Sequence, residues 1–375
     1  MSTAPDRSAG FVPPPYPYER LDSFKPLAAP FEGGLIDLSI GTPCDPPPAS
    51  VIAALAASNS ERGYPPSIGS AGLREAFAAW MHRRFDVVIA PVDIAACIGT
   101  KEFVGTLPQW MKLRSPWLDT ILYPAVAYPT YEMGATLAGC RAVAVPCNDR
   151  GGIDLNAISE EDAKRALLLW VNSPSNPTGA IDDLGSAAAW GRSHGVPVFS
   201  DECYAEFTWD GPAQTILQHG THGVIAVHSL SKRSNLAGLR VGAYAGDHEL
   251  VHYLSEVRKH VGMMVPGPAQ AAAVAALNDD DHVVVQRKLY RHRLERMANI
   301  LSQWADVDIA LPDGGFYLWF KVDDAWAFTE RLAREGGTLV SPGDLYGEQG
   351  RGFIRVAVVQ SDATIERVAQ RLHVS

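Results

Sequence analysis

The stretch AVHSLSKRSNLAGLRVGAYAG, residues 226–246, sets Lys232 among serines, with Arg240 eight residues further on and small residues around both. Residues 223–227 before it and 240–245 after it read as buried apolar strands bounding a serine- and glycine-bearing turn. Lys232 then falls at the carboxyl end of a strand, the edge where open α/β sheets bind ligands. A loop lysine is ordinarily a solvated charge, so its meaning depends on what else the chain brings to that edge.

From about residue 93 to 246 short apolar runs alternate with helix-like segments. IAACI, TILYP, AVAVP, ALLLWVN, VPVFSDE, VIAVHSL and RVGAYAG are strand candidates, several of them apolar throughout. Such runs suit a largely parallel sheet covered on both faces. Two long helical stretches follow, residues 247–278 and 280–304, the first broken near Pro266 and Pro268. VDIAL, FYLWFKV, GTLVS and FIRVAVV then alternate with helical segments at 326–334 and 363–372, which predicts a second, smaller α/β unit. The first thirty or so residues, with PPPYPY, Pro26 and Pro30, predict an extended arm with little core of its own.

At 375 residues the chain is long enough for about two domains, and 47% hydrophobic with 20% charged residues describes an ordinary globular protein. A net charge of −10 argues against nucleic acid as a partner. Cys44, Cys97, Cys140, Cys147 and Cys203 are scattered and lack metal-ligand spacing, which predicts free thiols in a reducing compartment and no metal site. The amino-terminal stretch has proline where a signal peptide needs an apolar core, and no run is long enough to span a bilayer, so a cytoplasmic location is expected.

Other polar groups gather at the same predicted edge. Gly99, Thr100 and Lys101 in CIGTKEFVG follow a strand and open a helix, a backbone suited to a phosphate group, although it is neither a Walker loop nor a GxGxxG fingerprint. Tyr128, just after the next strand, offers a ring face for stacking on a flat heterocycle. Asn176 in NSPSNPTG offers a neutral donor. Asp201 ends an apolar strand, where a carboxylate is costly without a cationic or hydrogen-bonded partner, and Tyr204 follows it. An anion site, a ring face, a donor, a carboxylate and an amine together match the needs of pyridoxal 5′-phosphate.

In these motifs the chain resembles the class I/II aminotransferases, fold-type I pyridoxal-phosphate enzymes, over nearly its whole length. The resemblance implies an α/β fold with a large domain on a mostly parallel seven-stranded sheet and a smaller α/β domain built from the amino-terminal arm and the carboxyl-terminal part. The expected boundaries are 1–45 for the arm, 46–278 for the large domain and 279–375 for the small one. It makes Lys232 the Schiff-base lysine and proton carrier, Ser229 and Arg240 phosphate ligands, and Gly99 and Thr100 the phosphate loop with Lys101 adjoining. Tyr128 becomes the stacking ring, Asn176 and Tyr204 neighbours of the phenolic oxygen, with Tyr204 also catalytic and Asn176 also substrate-binding, and Asp201 the partner of the ring nitrogen. Gly41 in LSIGTP and Arg355 in GFIRVAVV fall at the substrate carboxylate, and Tyr64 in RGYPPSIGSAGLREA at the phosphate of a neighbouring subunit, which implies a homodimer.

Within that family, IDLSIGTPCDPPP, IGTKE, YPAVAYPTYEMGA and HVGMMVPGPAQAAA are most similar to N-succinyl-L,L-diaminopimelate aminotransferases of actinobacterial type. Glutamate and a long 2-oxo acid or semialdehyde are the substrates this implies. Further carboxylates on such a substrate need further cations, for which Lys101, Arg62 and Lys259 are candidates. A general aspartate- or alanine-type aminotransferase and a C–S β-lyase would use the same cofactor residues. A regulator with a DNA-binding module needs an amino-terminal helix-turn-helix, for which the proline-rich residues before Gly41 are too short.

Overall fold

A computed structural model describes residues 10–374. The first nine residues of the expected arm lie outside them. The strands in chain order are β1 Ile36–Asp37, β2 Ile94–Cys97, β3 Thr120–Pro124, β4 Arg141–Val145, β5 Ala166–Asn172, β6 Val198–Asp201, β7 Val224–Ser229, β8 Gly242–Gly246, β9 Tyr317–Lys321, β10 Thr338–Leu339, β11 Ser341–Pro342 and β12 Phe353–Ala357.

Seven of them form one sheet in the order β2-β8-β7-β6-β5-β3-β4. Neighbours from β7 through β4 run parallel, and β8 runs antiparallel to both β7 and β2. The reversal of β8 matters for the site. Its first residue, Gly242, pairs with Ser229 and Cys97, the last residues of β7 and β2. Arg240 therefore enters the sheet at the edge where the parallel strands leave it.

The apolar strand runs are explained by cover on both faces. Ile94, Ala96, Leu169, Val171, Val224 and Ala226 pack in one cluster, while Ala95, Cys97, Leu168, Trp170, Ile225 and Val227 pack in another on the opposite face. Alternate residues of one strand thus enter two cores, and no face is left polar.

A three-stranded antiparallel sheet, β11-β12-β9, and the parallel pair β1–β10 make the second unit. Its core gathers Ile36, Leu294, Leu301, Leu318, Ile354 and Val368, so the start and the end of the chain share it. The long helical stretch resolves into His248–Val261 and Gly267–Leu277, divided where expected, and Asp281–Ala305 follows.

Two expectations are corrected. VDIAL at 307–311 forms no strand; Ile309 is buried against helix and strand side chains without a backbone ladder. The proline-rich arm is not merely extended. Pro17–Ala28 is a 3₁₀ helix opened by Pro17, whose missing N–H costs nothing in a first turn. Its Leu21 packs with Val126, Leu339, Leu345 and Tyr346. Proline periodicity hid that short apolar face.

Candidate active site

The carboxyl edge of the large sheet opens on a cavity of about 660 Å³ whose lining includes Thr100, Tyr128, Asn176, Asp201, Ser229, Lys232, Arg240 and Arg355. Strand endings deliver most of these side chains; Arg355 arrives from β12 of the second unit.

The anion end is built first. Gly99 caps the helix Thr100–Arg114 with φ 72° and no side-chain cap, so the first-turn N–H groups face the edge. A Cβ there would lie 2.1 Å from Arg240 Nη2, so glycine lets the guanidinium lie against the loop. Arg240, itself at φ 55°, donates from Nη1 to Ala237 O at 2.8 Å. Ser229 Oγ accepts from Ser231 N at 3.1 Å, and both serines line the cavity.

Lys232 Nζ donates to Gly41 O. Burial pushes its pKa down to about 8, with the charges of Arg355 and Arg240 adding to the effect and Cys203 and Asp201 opposing it. Near neutrality a useful fraction of this amine is unprotonated. Gly41 is as constrained as Gly99, because a Cβ would stand 2.2 Å from the Tyr317 hydroxyl. That hydroxyl is 2.8 Å from the Tyr204 hydroxyl.

Asp201 is buried at the end of β6. Its Oδ2 accepts from Tyr131 Oη at 2.9 Å and its Oδ1 from Cys203 N at 3.2 Å. Burial raises its pKa, and hydrogen bonds from Cys203 and Tyr131 oppose the rise. The carboxylate faces the cavity with a phenol and an amide as partners, where a cationic ring nitrogen would serve it best.

The loop after β5 is tied down by its own amides. Asn172 Nδ2 donates to Asp201 O at 2.8 Å, and Asn172 Oδ1 accepts from Asn176 N at 2.8 Å. Asn176 Oδ1 accepts from Arg355 Nη1 at 3.0 Å. Arg355 Nη2 donates to Ser39 O, while its buried Nε has no hydrogen-bond partner among the described residues. Its guanidinium carbon lies 4.4 Å from the Tyr317 ring centroid, 4.7 Å from Tyr346 and 5.8 Å from Tyr18. A buried cation framed by rings, lining the cavity and with an unpaired Nε, fits a ligand carboxylate.

Three expected residues stand apart from the rest. Tyr64 is 97% exposed and lies outside the cavity lining in this chain. Arg62 and Lys259 are also exposed and outside it, and Lys259 faces Glu256 at 3.4 Å. Lys101 lines the cavity, but its Nζ turns to the Tyr16 hydroxyl at 3.0 Å and sits 4.6 Å over that ring. Sequence reasoning missed Tyr131, Tyr317, Tyr18 and Asn172. Tyr131 alone left a trace, three positions after Tyr128 at the same strand ending; the others depend on how the two units meet.

The residues fit pyridoxal 5′-phosphate on the structure's own terms: an anion cradle closed by Arg240 over a glycine, a buried carboxylate without a cation, and an amine with a lowered pKa between them. Fold and site define a fold-type I pyridoxal-phosphate enzyme. Residues 34–372 match the family described as aminotransferase class I and II, and the chain belongs to it.

Similar proteins span nearly the whole chain. The 4-dedimethylamino-4-oxo-anhydrotetracycline transaminase of Streptomyces rimosus is 39% identical over 368 residues, covering 96% of this chain and 99% of that protein. The LL-diaminopimelate aminotransferase of Aquifex aeolicus is 34% identical, covering 96% of each. Among solved structures, a probable N-succinyldiaminopimelate aminotransferase of Thermus thermophilus superposes with TM-score 0.84 at 31% identity, covering 95% of this chain and 99% of that one. The chain is an aminotransferase whose cofactor is pyridoxal phosphate.

Proposed function

We propose that the chain transfers an amino group between glutamate and N-succinyl-2-amino-6-oxopimelate, as an N-succinyl-L,L-diaminopimelate:2-oxoglutarate aminotransferase in lysine synthesis. The observation that carries the reading is Lys101. Other cations lining the cavity have work: Arg240 lies at the anion cradle, Arg355 among the tyrosines, and Lys25 pairs with Asp22 at 2.6 Å. The ammonium of Lys101 meets the Tyr16 hydroxyl and the faces of Tyr16 and Tyr128, with no carboxylate partner among the described residues. A second carboxylate, distal to the one at Arg355, suits it. The diaminopimelate relatives and the Thermus neighbour support the same substrate class.

In this reading each residue has one task. Pyridoxal phosphate, when bound, supplies an electrophilic carbonyl and a ring that accepts the electron pair left as Cα loses its proton. Ser229, Ser231, Thr100 and Arg240 hold its phosphate against the uncapped helix start. Tyr128 and Asp201 orient the ring, and Asn176 and Tyr204 address its phenolic oxygen. Lys232 is the nucleophile that holds the carbonyl and the base that takes the Cα proton, for which an amine titrating near 8 is suited. Arg355 binds the α-carboxylate. Tyr64 reaches across a homodimer, a reading supported by its exposure outside the cavity lining of its own chain. Boundaries near residues 45 and 278 divide arm, large domain and small domain.

A second reading is favoured by the 39% identity to the Streptomyces enzyme, whose name specifies a bulky polycyclic ketone. A panel of acceptors with glutamate as donor separates the readings. Preference for the succinylated acceptor supports the first; equal efficiency with oxaloacetate or pyruvate defeats it, and a β-lyase would instead release ammonia and pyruvate from cystathionine.

A further inference from the structure

Tyr131 is a buried residue in contact with Asp201 that has no task in the scheme above. It opens the helix Thr130–Leu137 as its second residue and is fully buried. Its ring lies edge-on to Tyr128 at 6.4 Å and tilted against Trp170 at 5.2 Å, so packing fixes the direction in which its hydroxyl points. That direction is Asp201 Oδ2, at 2.9 Å.

With Cys203 N on Oδ1 at 3.2 Å, both carboxylate oxygens carry a donor before any ligand arrives. A carboxylate that accepts hydrogen bonds is a weaker base. The groups facing it from other elements are Cys97 on β2, His228 on β7 and Lys232 in the segment Leu230–Arg233. His228 stands 3.2 Å from Glu202, Lys232 donates to Gly41 O, and the Cys203 thiol, which also bears on the carboxylate, lies 3.2 Å from Thr100 Oγ1, while Tyr131 donates directly to Oδ2.

We propose that Tyr131 is a positioning residue that keeps the proton shared between Asp201 and the cofactor's ring nitrogen on the nitrogen. The proposal rests on the assignment of Asp201 to that nitrogen. Burial by itself pulls the proton the other way, because it raises the basicity of Asp201. Tyr131 opposes this, and its own pKa, raised well above the usual phenol value by burial and by Asp201, keeps it a donor.

The test loads wild type, Tyr131→Phe and Tyr131→His with pyridoxal phosphate labelled with ¹⁵N in the ring. The ring-nitrogen chemical shift and the cofactor dissociation constant are measured at neutral pH. Wild type should show a protonated ring nitrogen. The Phe variant should move toward the unprotonated shift and bind cofactor about 10-fold more weakly, as loss of a hydrogen bond to a charged acceptor implies. The His variant should recover both. A Phe variant with a protonated nitrogen and wild-type affinity overturns the proposal, as does a His variant that behaves like Phe. An unprotonated nitrogen in wild type removes instead the Asp201 assignment beneath it.

Discussion

Replacing Arg355 by lysine removes the planar fork and keeps the charge. Arg355 is 2% exposed and lines the cavity, and its guanidinium donates to Asn176 Oδ1 at 3.0 Å and to Ser39 O while its buried Nε has no hydrogen-bond partner among the described residues. A lysine ammonium cannot hold Asn176, Ser39 and a carboxylate in that geometry. One charge-assisted hydrogen bond lost in a site closed by Tyr18, Tyr317 and Tyr346 costs roughly 1.5–3 kcal/mol, and strain at Asn176 adds up to about 1 more. At about 1.36 kcal/mol per tenfold, kcat/KM should fall by about 10- to 1000-fold. The fall should be similar for every amino-acid donor, because the α-carboxylate is common to all, and cofactor affinity should barely change. Steady-state kinetics on a donor panel, with cofactor titration of the apoenzyme, decides it. A loss confined to one donor, or a change below about twofold, would refute the assignment of Arg355 to the α-carboxylate.

Further expectations follow from the same geometry. Lys232, with its pKa lowered to about 8, is charged below that pH and neutral above it, so the rate of cofactor capture by the apoenzyme should climb with pH and level off above about 8; a rate flat from neutrality upward contradicts the shift. Gly99→Ala places a methyl 2.1 Å from Arg240 Nη2 at a φ of +72°, and cofactor affinity should drop by about tenfold or more while the melting temperature moves a few degrees; unchanged affinity would separate Arg240 from the cradle. Lys101→Ala should weaken the succinylated acceptor far more than pyruvate, read as a ratio of kcat/KM values, and an equal loss on both would place the distal carboxylate elsewhere. Tyr64→Ala should lower cofactor affinity in a protein that sediments as a dimer; a fully active monomer in the ultracentrifuge would exclude the shared site.

Much of the large sheet was legible because its strands are short, apolar and punctuated by polar loops. Asp201, Asn176 and Lys232 all lie at such punctuation, where side-chain chemistry and strand direction can be read together. Arg240 was legible as a residue, but the reversal of β8 that carries it to the edge shows only in the pairing of Gly242 with Ser229 and Cys97. Where long-range packing decides, the linear pattern fell short. Tyr317 sits in FYLWF among aromatics that alternate only to fill cores, and nothing local marks its hydroxyl as the neighbour of Tyr204. Lys101 reads as a phosphate-loop cation, yet its ammonium meets the hydroxyl of Tyr16 from the arm. The arm itself was misjudged because proline density masks the apolar face that Leu21 turns inward.

The central claim is that Lys232 carries the cofactor. Borohydride reduction of the holoenzyme, followed by proteolysis and mass spectrometry, fixes the cofactor to whichever amine holds it. The account predicts a pyridoxyl label on Lys232 and its loss, with turnover, in a folded Lys232→Ala variant. A label on Lys101 or any other lysine would contradict it.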